Sequence, residues 1–199
     1  MVRVVLATHN QHKAREFQQI LGDAVPGLEI VGYDGPEPVE DGVTFEANAL
    51  IKARAAAAHT GLPALADDSG ICVDAMGGAP GIFSARWAGR HGDAQANLRL
   101  LLDQLADLPD GSRAAHFTAT LALVSPAGRE TVVEGLWPGR IAHEARGEHG
   151  HGYDPIFVPD GHDATAAELG PEVKNAESHR SRAFSAIVPA LRELVAAAG

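Results

Sequence analysis

The chain has 199 residues, 45% of them hydrophobic, which is enough material for one substantial core. A formal net charge of -10 excludes broad electrostatic affinity for a nucleic-acid backbone, because such binding needs a basic face. A lone cysteine, Cys72, excludes an intrachain disulfide and a cysteine-rich zinc site, and no apolar run has the length of a membrane span. Met1 leads directly into a strand-like run with no secretory signal pattern. The expectation is a single cytoplasmic domain over residues 1-199 with no membrane or nucleic-acid partner.

In chain order, Val2 to Ala7 predicts a buried strand, and Lys13 to Leu21 predicts a helix through Phe17, Ile20 and Leu21 that Gly22 ends. Glu29 to Gly32 reads as a second strand. Thr44 is an N-cap for an alanine-rich helix running to His59, stopped by Gly61 and Pro63. Ala64 to Ala66 predicts a short strand ending on Asp67 and Asp68, and the glycine-rich stretch from Gly70 to Gly81 is expected to wind around a cleft. Asp93 to Leu105 reads as a helix with Asn97, Arg99 and Asp103 outward. Phe117 to Val124 and Glu130 to Leu136, joined by Ser125-Pro126-Ala127-Gly128, predict a β-hairpin. Residues 145 to 154 read as loop, and a last helix starts near Ser178, with Pro189 placed to kink or divide it. The sum is an α/β fold with a mixed sheet flanked by helices.

Three polar segments carry candidate chemistry. Thr8, His9, Asn10, Gln11, His12 and Lys13 follow a strand and open a helix, where amide groups and a lysine attract anions, although no Walker glycine pattern is present. Asp67 and Asp68 would point to opposite faces of a strand, and Asp68 is the carboxylate that faces a cleft. Ser69 and Gly70 permit close approach of backbone to phosphate. Glu40 or Asp41 offers a second hard oxygen ligand for magnesium with Asp68, while Lys52 points either at phosphates or into solvent. His151 and Tyr153 flank Gly152 as two rings suited to stacking on a base, beside Asp154. Lys174, His179 and Arg180 all donate hydrogen bonds, which suits a 6-keto oxygen and rejects a 6-amino group. His143, His149, His151 and His162 are scattered through predicted loops, where surface placement is the ordinary reading.

These segments together resemble the inosine triphosphate pyrophosphatase family. The resemblance rests on Thr8-x-Asn10-x-x-Lys13, Thr44-Phe45-x-x-Asn48-Ala49, Ala66-Asp67-Asp68-Ser69-Gly70, and Gly77-Gly78-Ala79-Pro80-Gly81-Ile82-Phe83-Ser84-Ala85-Arg86. It continues through Gly152-Tyr153-Asp154-Pro155-Ile156-Phe157, Thr165-Ala166-Ala167-Glu168-Leu169, Lys174 and Ser178-His179-Arg180. It implies a long mixed sheet with helices in two lobes around a central nucleotide cleft, a homodimer, and Mg2+-dependent cleavage of deaminated purine nucleoside triphosphates to monophosphate and pyrophosphate. It implies Asp68 as catalytic base and metal ligand, and Glu40 as second metal carboxylate. Phosphates would fall to Thr8, His9, Asn10, Gln11, His12, Lys13 and Ser69, and the nucleoside end to His151, Gly152, Tyr153, Asp154, Lys174, His179 and Arg180. One departure is His151, a position often held by phenylalanine in similar bacterial proteins. A nucleotide sensor without turnover and a pyrophosphatase acting on pyrimidine nucleotides are the competing readings.

Overall fold

The computed structural model describes residues 1-9 and 11-197, without the side chains of Gln11, His12, Lys13 and Glu16. Its strands are β1 (Val2–Leu6), β2 (Leu28–Val31), β3 (Ala64–Val73), β4 (Ala114–Val124), β5 (Glu130–Ile141) and β6 (Phe157–Pro159). Its helices are α1 (Gln11–Ala24), α2 (Phe45–Thr60), α3 (Ala94–Gln104), α4 (Ala166–Glu177) and α5 (His179–Ala197). The strands form one mixed sheet in the order β2-β1-β3-β4-β5-β6. β1 pairs in parallel with β2 and β3, and β5 pairs antiparallel with β6. The expected α/β fold with a mixed, helix-flanked sheet is what the chain forms.

The chain divides into two compact units, the first built from residues 1-68, 119-135 and 182 onward, and the second from residues 69-118 and 136-181. Strand alternation gives the first unit two cores. Val4 and Leu6 pack with Phe17, Leu21, Leu121, Phe184, Ile187 and Leu191, where Phe17 meets Phe184 edge-on at 4.6 Å. Val5 faces the other way onto the alanine stripe of α2, Ala49, Ala53, Ala56 and Ala57, whose small side chains admit close packing on Ala64 and Ala66. Thr44 caps α2 by accepting from the Ala47 amide at 3.1 Å, and Gly61, at φ 67°, closes it with its N–H on the Ala57 carbonyl.

Several local expectations are corrected. α1 does not end at Gly22 but continues to Ala24, and Ile20 is 40% exposed, so the buried stripe is Phe17, Leu21 and Val25. The glycine has a packing reason, since a Cβ there would strike the Gln18 amide, which accepts the Ile30 N–H of edge strand β2 at 2.5 Å. β2 begins one residue earlier than expected. β3 is ten residues long and runs straight through Asp67 and Asp68. Its parallel partner β1 stops at Leu6, opposite Leu65, while β4 remains its neighbour on the other side and sustains the strand. The aspartates therefore lie on continuing strand past the carboxyl end of β1.

The core of the second unit gathers Ile71, Val73, Leu98, Leu101, Phe117, Trp137, Tyr153, Ile156 and Phe157. Arg113, 1% exposed, bonds four backbone carbonyls: Leu105 at 2.5 Å, Leu108 at 3.4 Å, and Ile141 and Ala142 at 2.8 Å. Asn97 is buried rather than outward, because it accepts from the Ala88 amide at 2.7 Å and donates to the Ala85 carbonyl at 3.1 Å. β6 and α4 were not expected from the sequence. β6 has three residues, and the pattern of α4 is interrupted by Gly170, at φ 79°, and Pro171, although a Thr165-Glu168 capping box starts it. α5 runs through Pro189, which is exposed while Ile187 and Leu191 hold both sides of it in the core.

Candidate functional site

In the first unit the cap at Thr44 sets the phase of α2, which puts Asn48 and Lys52 one turn apart on the same face. The Lys52 ammonium stands 3.2 Å from Glu40 Oε2 and 3.5 Å from Asp68 Oδ1. Asn48 hydrogen-bonds the Asp68 carboxylate. Burial raises the pKa of Asp68 above the ordinary carboxylate value, Lys52 opposes the shift, Glu40 adds to it, Asn48 opposes it and Asp67 adds to it. Two carboxylates gathered around one cationic group are hard oxygen donors of the kind magnesium takes, which needs only one or two from protein. Among the described residues no group of three or more His, Cys, Asp or Glu side chains converges as a metal cage. Lys52, left open by the sequence, therefore belongs to this carboxylate cluster.

Thr8 and His9 lie just past β1, with α1 opening at Gln11. Asn10 lies outside the described residues, as do the side chains of Gln11, His12 and Lys13. His9 is anchored: Nε2 is 2.8 Å from the Gly35 carbonyl, Nδ1 is 3.2 Å from Glu37 Oε1, and the ring stacks on Tyr33 at 5.7 Å. Beside it is a cavity of about 660 Å³ bordered by Arg3, Thr8, His9, Tyr33 and Asp34.

In the second unit a cavity of about 380 Å³ brings together Ser69, His151, Gly152, Tyr153, Asp154, Lys174, His179 and Arg180. Thus Thr8, His9, Glu40 and Asp68 belong to the first unit, and the base-directed residues share one cavity in the second. Tyr153 is 6% exposed and donates its hydroxyl to the Ser84 carbonyl at 2.8 Å, with burial pushing its pKa up. His179 stacks on Phe117 at 4.9 Å, which holds the imidazole plane against an aromatic wall. Asp154 Oδ2 accepts the His151 amide at 2.8 Å and pairs with the Lys174 ammonium. Gly150 packs so closely on that carboxylate that any side chain there would displace it. Arg180 Nε is buried with no hydrogen-bond partner among the described residues.

Sequence reasoning missed Phe117, Asn97 and Ser84 as cavity residues. Phe117 carried no signal beyond an apolar strand position. Ser84 lay within a quoted motif, but only the fold shows its hydroxyl accepting the Ile71 amide at 3.0 Å and donating to Gly81 at 2.6 Å.

The Ham1 family model matches residues 4-190. The chain belongs to the Ham1 family. This Ham1 chain is 87% identical over 194 residues to the dITP/XTP pyrophosphatase of Leifsonia xyli subsp. xyli, covering 98% of each. It is 56% identical to the dITP/XTP pyrophosphatase of Streptomyces coelicolor, over 98% of this chain and 100% of that one. Among solved structures, the Ham1 protein of Coxiella burnetii superposes with a TM-score of 0.90 at 41% identity, over 97% of this chain and 100% of that one. The nucleoside-triphosphatase / dITP/XTP pyrophosphatase of Mycobacterium abscessus gives 0.83 at 51% identity, over 94% and 100%. No helix among the described residues is long and apolar enough to cross a membrane.

Proposed function

We propose that this chain is a nucleoside triphosphate pyrophosphohydrolase that cleaves ITP, dITP and XTP to the monophosphate and pyrophosphate. The relatives' activity supports the reaction. The observation that carries the base preference is the donor character of the cavity in the second unit. Three of its side-chain acceptors are already engaged: Asp154 by His151 and Lys174, Asn97 Oδ1 by the Ala88 amide, and Ser84 Oγ by the Ile71 amide. Arg180 Nε still offers a hydrogen. A keto oxygen satisfies such a wall, whereas an exocyclic amine sets donor against donor.

Glu40 and Asp68 would hold Mg2+, which supplies Lewis-acid neutralisation of charge developing on the phosphate oxygens. Asp68 takes the proton of the attacking water as its oxygen bonds the α-phosphorus and the bond to the bridging oxygen breaks. A carboxylate whose proton affinity is raised by burial is a better base for that step than an exposed one. The Lys52 ammonium, 3.5 Å from Asp68, favours the ionised form of that carboxylate, and Lys13 stabilises the departing pyrophosphate. Thr8 to Lys13 and Ser69 hold the phosphates, and His151, Tyr153, Lys174, His179 and Arg180 hold the nucleoside. The chain acts as one functional domain, a homodimer in the cytoplasm.

The deciding experiment compares hydrolysis of ITP, XTP, ATP and dTTP with Mg2+ titrated from zero, measuring pyrophosphate separately from orthophosphate. Magnesium-dependent pyrophosphate release mainly from ITP and XTP is expected. Orthophosphate release overturns the reaction, and faster turnover of dTTP overturns the purine preference.

A further inference from the structure

Asn48 is 2% exposed in the first turns of α2, a helix otherwise faced with alanine, which forms helix better than asparagine. Its amide bonds the Asp68 carboxylate, and its Oδ1 is buried with no hydrogen-bond partner among the described residues. That oxygen lies against Gly42: a Cβ at Gly42 would come within 2.6 Å of Asn48 Oδ1, 2.8 Å of Ala47 Cβ and 3.0 Å of the Asn48 amide nitrogen. Gly42 does not have a positive φ, so what demands glycine there is this close approach and not the backbone conformation. Glu40 lies two residues before it.

We propose that Asn48 is a positioning residue for both carboxylates of the candidate metal site, holding Asp68 by hydrogen bond and seating the Glu40 segment through contact with Gly42. The inference rests on the metal role assigned to Glu40 and Asp68 above. One rigid amide on a capped helix gives the two oxygen donors, which come from separate stretches of chain, a common reference. A leucine at 48 keeps the bulk and removes the donor. An alanine at 42 leaves Asn48 intact and pushes the Glu40 segment off α2. The two substitutions attack opposite ends of the same device, so they share one signature.

The test titrates Mn2+ alone into the wild type, Asn48→Leu and Gly42→Ala, followed by electron paramagnetic resonance, with melting in chelator and kcat and KM for ITP alongside. Loss of a group that orients metal ligands weakens binding by roughly tenfold or more. Both variants are expected to show that loss of Mn2+ affinity and a lower kcat, with KM for nucleotide within about twofold of wild type. Gly42 is only partly buried, so Gly42→Ala keeps the test decisive if Asn48→Leu fails to fold. Unchanged Mn2+ affinity and kcat in folded variants, with only a lower melting temperature, overturns the proposal. Absence of pyrophosphate release by the wild type overturns the function above, whereas Asn48-dependent Mn2+ binding in that case still upholds the positioning role.

Discussion

Tyr153 hands its phenolic hydrogen to the backbone carbonyl of Ser84 at 2.8 Å, so an aromatic wall of the second unit's cavity is fastened to the 3₁₀ segment Gly81–Arg86. Tyr153→Phe preserves the ring and removes the fastening. The loss of this buried bond is expected to lower stability by about 1 kcal/mol and to raise KM for ITP more than it lowers kcat. Urea denaturation and steady-state kinetics on the same preparation check both parts.

Asp68→Asn keeps the shape of the side chain and removes its basicity. Turnover is expected to fall by roughly 10²- to 10⁴-fold, the range for loss of a general base, with nucleotide binding largely retained. Calorimetric binding of ITP beside single-turnover rates measures the two effects. Near-normal turnover would remove Asp68 from the proton transfer.

Arg180→Ala deletes a cavity donor whose Nε has no hydrogen-bond partner among the described residues. The ratio of kcat/KM for ITP over ATP is expected to narrow by roughly tenfold, because a donor that adenine leaves unmatched no longer counts against it. An unchanged ratio would show that Arg180 does not read the base.

Arg113→Met removes a guanidinium that serves four carbonyls and leaves those acceptors buried. A loss on the order of 3 kcal/mol is expected from unsatisfied polar groups. The denaturation midpoint reports it, and kcat per folded molecule should stay near wild type.

Glu168 accepts the Thr165 amide at 2.7 Å and faces Arg146, and these contacts, the amide first, hold its carboxyl below the ordinary value of 4.5. A depressed folded-state pKa contributes stability above the unfolded value and loses it as pH falls through the folded one. The stability difference between wild type and Glu168→Gln should therefore be present at pH 7 and disappear as pH is lowered below about 4.5. Melting temperatures across that range test the sign.

Local chemistry made much of this structure legible. Thr44 and Gly61 marked α2 because caps act within a few residues, and the polar residues from 151 to 180 were identifiable by donor type. What escaped depended on distant chain. Nothing near Asp67 says that β4 extends the strand past the end of β1, and nothing near Asn97 says that two backbone groups from residues 85 and 88 meet it. Asn48 stood within a quoted motif, yet its meaning needs Gly42 and Asp68 in three dimensions. α4 was hidden by Gly170 and Pro171, whose local preference is to break helices.

The outer margin of the sheet at β2 carries a safeguard. An edge strand with free amides is a template on which another chain can assemble, and proteins blunt that hazard in several ways. Here the hydrogen that Ile30 would present to an incoming strand is already taken by Gln18. A glutamine one helix turn before a glycine thus acts as a built-in plug against cross-chain β-assembly, and its loss would show first as turbidity on storage rather than as a change in catalysis.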